Sequence, residues 1–218
     1  MLNIFDVDYT IIKKTSAWYF IKEALSQKAI KLSQLRSLPL TWLKYKMGIL
    51  NTDFIEAAVK HLAGIEKKTM EKLAEEAFEK RMKAGIFSGA KELINQIKQR
   101  KEPVVFASSS IDIILKPLKH FLGIDEIIAS RLEFLHGKAS GHITGVSLFG
   151  ENKKIAVKEW LLKNRINPRD VCFYSDSYTD IPLLEYCGKA IAVNPDRFLR
   201  REALKRDWDI LRFEETLK

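Results

Sequence analysis

What most constrains this chain is the way three short apolar runs end. Leu2-Asn3-Ile4-Phe5 leads into Asp6-Val7-Asp8, and Pro103-Val104-Val105-Phe106-Ala107 leads into Ser108-Ser109-Ser110. Val171-Cys172-Phe173-Tyr174 leads into Ser175-Asp176, with Asp180 close behind. Runs of this length and texture read as buried strands. Helical patterns lie between and after them: 88–99 with Ser88 as its cap, 111–121 with a kink at Pro117, then 154–163, 181–186 and 198–205. Further strands are expected at 126–130 and 190–193, and a hairpin from 132–135 and 142–147 about His136-Gly137-Lys138. Strands alternating with helices predict an α/β fold, a parallel sheet with helices on both faces.

Residues 15–84 break that alternation. Thr15 or Ser16 caps a helix over 17–27, with Trp18, Ile21, Ala24 and Leu25 on one stripe. Further helical patterns cover 35–47, interrupted by Pro39, then 53–62 and 69–82, with no convincing strand. A stretch this long is too large for a loop and reads as an all-helical insert.

Composition narrows the classes. With 218 residues, 46% hydrophobic and 30% charged, the chain suits one domain, or a core with a smaller insert, and not a disordered segment. Cys172 and Cys187 are too few for a disulfide framework. No apolar run approaches the ~18 residues of a membrane span. Asp6 and Asp8 fall where the apolar stretch of a signal peptide would begin. A cytoplasmic protein without membrane association is expected. The net charge of +9 raises the question of a polyanionic partner. The cations, however, are spread over Lys13-Lys14, Lys67-Lys68, 98–101 and 197–206, and no nucleic-acid-binding motif accompanies them, so specific nucleic-acid binding is not expected. The sequence leaves the oligomeric state open.

In such a sheet, ligands bind beyond the carboxyl ends of the strands. Asp6, Asp8, Thr10, Ser108, Ser109, Asp176 and Asp180 all fall there. Four converging carboxylates repel one another and need a cation or shared protons. An oxygen-only donor set selects a hard ion, and Mg²⁺ is the first choice; it would also tie a phosphoryl group to the carboxylates. Taken singly, Asp176 also suits a helix cap, the serines suit a turn, and Lys153 and Lys154 suit the surface. The ordered set carries the signal.

That set resembles the haloacid dehalogenase (HAD) superfamily of phosphohydrolases. Asp6-Val7-Asp8-Tyr9-Thr10 is similar to its first motif and Ser108 to its second. Lys153 in Gly150-Glu151-Asn152-Lys153 is similar to its third motif, and Ser175-Asp176-Ser177-Tyr178-Thr179-Asp180 to its fourth. His142-Ile143-Thr144-Gly145, Ile181-Pro182-Leu183-Leu184-Glu185 and Ala192-Val193-Asn194-Pro195-Asp196 resemble the phosphoserine phosphatase-like subfamily, IB. The resemblance implies a Rossmann-like core over 1–12 and 86–218, with 13–85 as an inserted helical C1 cap whose core takes in Trp18, Trp42 and Tyr45.

The resemblance also implies roles. Asp6 is the nucleophile that forms an aspartyl-phosphate, and Asp8 the general acid and base. Ser108 donates to the phosphoryl group, Lys153 supplies positive charge, and Lys153 is favoured over Lys154 because Gly-Glu-Asn-Lys fits the pattern. Asp6, Asp8 through its main-chain carbonyl, Asp176 and Asp180 hold Mg²⁺, and Thr10 and Ser109 contact substrate. The expected function is Mg²⁺-dependent hydrolysis of a small phosphorylated metabolite. The rivals are a phosphotransferase using the same intermediate and a non-catalytic basic binding module on the same fold. Three departures bear on substrate. Tyr9 stands where a small residue is frequent, and the second motif reads Ser-Ser-Ser in place of Ser-Gly-Gly. Lys13-Lys14-Thr15 stands where related enzymes place a glutamate against the substrate ammonium.

Overall fold

The structure is a computed structural model that describes residues 1–30 and 53–217. The helix expected over 35–47, with Trp42 and Tyr45, lies outside the described residues. The sheet is built from β1 (Leu2–Phe5), β2 (Val104–Ile111), β3 (Glu126–Ser130), β6 (Val171–Ser175), β7 (Lys189–Val193) and β8 (Asp209–Leu211). Their order is β3-β2-β1-β6-β7-β8, every pairing parallel. The chain runs outward from β1 to β3, then crosses back to lay β6 on the other side of β1. The order therefore reverses at β1, where an open α/β sheet leaves a crevice.

Strand alternation separates two hydrophobic layers. Phe5, Val104, Phe106, Cys172 and Tyr174 face one side, and Ile4, Val105, Ala107, Val171 and Phe173 face the other. The second side is covered by α6 (Glu151–Lys163), α7 (Ile181–Tyr186) and α8 (Arg197–Lys205) through Val157, Leu161, Leu183, Leu184 and Leu199. The first is covered by α4 (Ser88–Gln99) and α5 (Asp112–Leu122). The helical segment, α1 (Ser16–Ser26), α2 (Asp53–Val59) and α3 (Lys67–Ala77), continues this side outward: α1 and α3 pack on each other and on α5, and α2 packs on the strand Lys138–Ile143. Tyr19, Phe20, Met70, Leu73 and Met82 share one continuous cluster with Phe106, Ile114 and Leu118. The helical segment thus shares its hydrophobic layer with the sheet.

Most sequence expectations hold, and the differences have local causes. Thr15 caps α1, its hydroxyl accepting the Trp18 amide at 3.1 Å. The buried stripe of α1 is Ser16, Tyr19, Phe20, Glu23 and Ala24, so Trp18 is turned outward, with the Lys14 Nζ 3.9 Å over its ring. Ser88 is the first helical residue of α4 and not its cap; its hydroxyl donates to the Glu215 carbonyl. The hairpin pairs β4 (Leu132–Leu135) with β5 (Lys138–Ile143), so its second strand comes earlier than expected, directly after the tight turn. Sequence reading missed β8, a three-residue edge strand too short to show a period.

The segments entering and leaving the helices run side by side. The Lys13 amide donates to the Gly85 carbonyl at 2.8 Å, and the Phe87 amide to the Ile11 carbonyl at 2.9 Å. Gly85 also makes room for Tyr19, since a Cβ there would lie 1.9 Å from the tyrosine oxygen. Further out, the buried Glu23 carboxylate ties α1 to the turn after α3, accepting from Lys80 and Arg81 at 2.9 Å each.

Candidate active site

The expected residues do gather at the carboxyl edge of β1, β2 and β6. Asp6 follows β1, and its amide donates to the Tyr174 carbonyl at 2.8 Å, extending the pairing with β6 by one residue. Beyond it the chain turns. The Ile11 and Ile12 amides both return to the Val7 carbonyl, and Tyr9 takes a left-handed backbone at φ 61°. A bulky residue is rarely found there. Asp8 therefore lies on a tight loop, not on a continuing strand, and meets the Ser16 amide at 2.8 Å.

Lys153 is the centre of the cluster. Gly150, at φ 57°, starts α6 one turn earlier than the sequence pattern indicated, which puts Lys153 in the first turn facing inward. Its Nζ donates to Asp6 Oδ1 at 2.9 Å and to Asp180 Oδ2 at 2.7 Å. All three side chains are at most 8% exposed. Lys154 instead points outward to Glu151 at 2.8 Å. The structure thus sets Lys153, and not its neighbour, among the carboxylates.

Asp176 and Asp180 come from the loop after β6. The buried Ser175 hydroxyl, which sequence reasoning passed over, donates to Asp180 Oδ2 at 2.7 Å. Asp180 Oδ1 is buried with no hydrogen-bond partner among the described residues. Thr10, only 1% exposed, donates to Asp176 Oδ1 at 3.4 Å, so it meets a carboxylate. Asp196 is a second residue that sequence reasoning did not place. It caps α8 and accepts the Tyr178 amide at 2.9 Å, while its own amide donates to the Asp176 carbonyl. Asn194-Pro195-Asp196 carried that signal in the sequence, since Asp followed by a helical pattern is a cap. From β2, the buried Ser108 hydroxyl oxygen accepts the Ser110 amide at 3.2 Å, which leaves its proton able to point to a ligand. Ser109 is half-buried, and its carbonyl accepts from Ser130.

Burial dominates the electrostatics. It pushes the Asp6 carboxyl up to about 7, with Lys153 opposing and Asp180 and Asp8 adding. It pushes Asp8 up to about 6 against the Ser16 amide and hydroxyl. Asp176 is raised well above the ordinary range by burial and then by Asp6 and Asp180. For Lys153, burial alone would lower the ammonium, but Asp180 and Asp6 outweigh it and the group ends raised.

Among the described residues, no three His, Cys, Asp or Glu side chains form a metal-holding group by themselves. A Mg²⁺ ion does not need one, because it is held by one or two carboxylates and keeps waters and substrate oxygens for the rest. The unpartnered Asp180 oxygen and the mutual repulsion of Asp6 and Asp176 fit a cation or its water shell at this point.

The carboxyl values set a pH-dependent role for Lys153. Asp6 and Asp8 are raised, so the folded state holds extra protons between about pH 4 and 7, and their contribution to stability falls as pH rises through that window. Above it the carboxylates are ionised and Lys153 is their counter-charge. In chelator, Lys153→Met therefore destabilises the protein by about 3–5 kcal/mol at pH 8, the usual cost of breaking a buried pair, and by clearly less at pH 5. Denaturant titrations at both pH values measure this.

Comparison with known proteins agrees with this geometry. The sequence pattern of the family described as haloacid dehalogenase-like hydrolase matches residues 4–185. A histidinol-phosphatase of Neisseria meningitidis serogroup C is 31% identical, over 98% of this chain and 99% of that protein. A protein of unknown function from Bordetella pertussis Tohama I superposes with a TM-score of 0.86 at 24% identity, covering 96% of this chain and 97% of that one. A phosphoserine phosphatase, solved as a phospho-aspartyl intermediate analogue, superposes with a TM-score of 0.69 at 24% identity, covering 99% and 94%. Among the described residues no helix is long and apolar enough to cross a membrane. A parallel sheet with its polar residues at the carboxyl edge, a buried lysine between two aspartates, and a family pattern spanning most of the sequence all lead to one conclusion: the chain belongs to the haloacid dehalogenase-like hydrolase family.

Proposed function

We propose that the protein hydrolyses a small phosphomonoester with Mg²⁺, through an aspartyl-phosphate on Asp6. Residues 1–12 and 86–218 form the catalytic core and 13–85 a cap; the paired strands of chain at Ile11–Lys13 and Gly85–Phe87 support that boundary. The observation that carries the reading is the Lys153 ammonium bridging Asp6 and Asp180, with Asp8 and Asp176 near enough to act electrostatically on the same cluster. A binding module needs no ionised, counter-charged carboxylate buried at a crevice. The free Cys172 and Cys187 suit a cytoplasmic protein.

In the first step an Asp6 oxygen attacks phosphorus while the bond from phosphorus to the leaving oxygen breaks. That oxygen takes a proton from Asp8, whose value near 6 suits a group that must carry a proton and then lose it. Asp8, now ionised, takes a proton from water as the water oxygen attacks phosphorus. The bond to Asp6 breaks, and inorganic phosphate and free Asp6 result. Ser108 donates a hydrogen bond to the transferred group, and Lys153 offsets the charge on Asp6 and on that group. Bound Mg²⁺ supplies the further positive charge that lets a phosphate dianion approach ionised carboxylates. Asp6, Asp176 and the Asp8 carbonyl would hold it, with Asp180 ordering its surroundings. Asp6→Asn keeps the shape but removes the nucleophile, and turnover of p-nitrophenyl phosphate falls by about 10⁴-fold or more. Near-normal turnover in Asp6→Asn, or in wild type stripped of metal, would refute the mechanism.

For the substrate, the reading is supported by Thr15 serving as a helix cap and by Lys13 and Lys14 being exposed, a stretch that carries no carboxylate of its own to meet an ammonium. An amino group closed into such a site is left unpaired. Phosphoserine is accordingly a poor substrate, with kcat/KM about tenfold or more below the best non-amino phosphomonoester. Histidinol phosphate belongs in the panel because of the Neisseria relative. Steady-state kinetics on wild type and Thr15→Glu decide the matter, and phosphoserine emerging as the best wild-type substrate would reverse this assignment.

A further inference from the structure

The hydroxyl groups of Ser16 and Ser110 have no part in the mechanism above, yet they join three of its elements. Ser16 opens α1 and is fully buried. Its amide donates to Asp8 Oδ1 at 2.8 Å, and its hydroxyl also acts on that carboxyl. The same hydroxyl lies 2.7 Å from Ser110 Oγ, near the end of β2. The Ser110 amide in turn donates to Ser108 Oγ at 3.2 Å. Hydrogen bonds thus link Asp8 to the first residue of α1, and that residue to Ser110 on β2.

We propose that the Ser16–Ser110 hydroxyl pair is a positioning device that fixes the orientation of Asp8 toward the leaving oxygen. This rests on the phosphatase reading and adds residues that the reading does not use. The physical argument is one of degrees of freedom. A carboxyl held only by the Ser16 amide can rotate about that bond. A hydroxyl braced against β2 removes the rotation. The brace cannot act through Ser108, because that serine is held by the backbone amide of residue 110, which no side-chain change removes. The bridge also crosses from the helical segment to the sheet, so the orientation of the acid depends on how α1 sits on β2.

This placement makes a selective prediction. Protonation matters when the leaving group is a poor one, such as an alkoxide, and little when it is a stable phenolate. In Ser110→Ala, kcat/KM for the best alkyl phosphomonoester of the panel falls about tenfold, while that for p-nitrophenyl phosphate falls less than about twofold. Ser16→Ala gives the same selective loss, and the double variant loses no more than either single one, because both remove one shared link. Ser110→Thr restores the hydroxyl and with it the wild-type ratio between the two substrates. Equal losses on both substrates, or losses that multiply in the double variant, would show that the pair serves only the fold and would overturn the proposal. Wild type that hydrolyses neither substrate with Mg²⁺ would overturn the phosphatase reading and this inference with it.

Discussion

A buried ammonium between two buried carboxylates sets the terms for the rest of the molecule. Asp6 and Asp180 come from separate strand ends, and Lys153 comes from a third element, so the contact exists only when the sheet and α6 are in register. Desolvating three charges is costly unless they are close and hydrogen-bonded. Here they are, at 2.9 and 2.7 Å, with Ser175 adding a donor to Asp180. Even so, one Asp180 oxygen has no hydrogen-bond partner among the described residues, and Asp6, Asp8 and Asp176 are all pushed up. The site is under-supplied with positive charge, a condition suited to a cation and a phosphoryl group and not to a resting scaffold.

The elements that hold this arrangement were legible in the sequence to different degrees. Asp6, Ser108 and Asp176 could be placed because each follows an apolar run that has only one sensible reading in a parallel sheet. The choice between Lys153 and Lys154 could not be made by periodicity, because it depends on where α6 begins. Gly150 decides that through a backbone conformation, and a sequence pattern shows only that a glycine is there. Trp18 went the other way: a large apolar residue on a helix suggested burial, but the stripe is set by Ser16, Tyr19, Phe20 and Glu23. Two polar residues on a buried face mask a helical period. Ser16 was hidden for the same reason, as a cap candidate whose hydroxyl is used by a strand 94 positions away.

The helical segment is more than a cover laid on the sheet. Its apolar residues merge with those of the first sheet face, and Glu23 pins α1 to the turn after α3. The hydrogen bonds of Ser16 to Ser110 and to Asp8 then tie α1 to β2 and to the loop after β1. In the proposed function, substrate choice and the orientation of Asp8 meet in one short stretch, residues 13–16, where Thr15 holds the helix start and the Ser16 amide holds Asp8.

The account turns on a covalent phosphate at Asp6, and that bond can be trapped directly. The enzyme is mixed with substrate and Mg²⁺, quenched in acid during turnover, and treated with borohydride, which reduces an acyl phosphate to an alcohol. Peptide mass spectrometry then locates the change. The account predicts homoserine at position 6, dependent on substrate and absent from Asp6→Asn. Turnover without modification at position 6, or with phosphate carried on Ser108 instead, would contradict it.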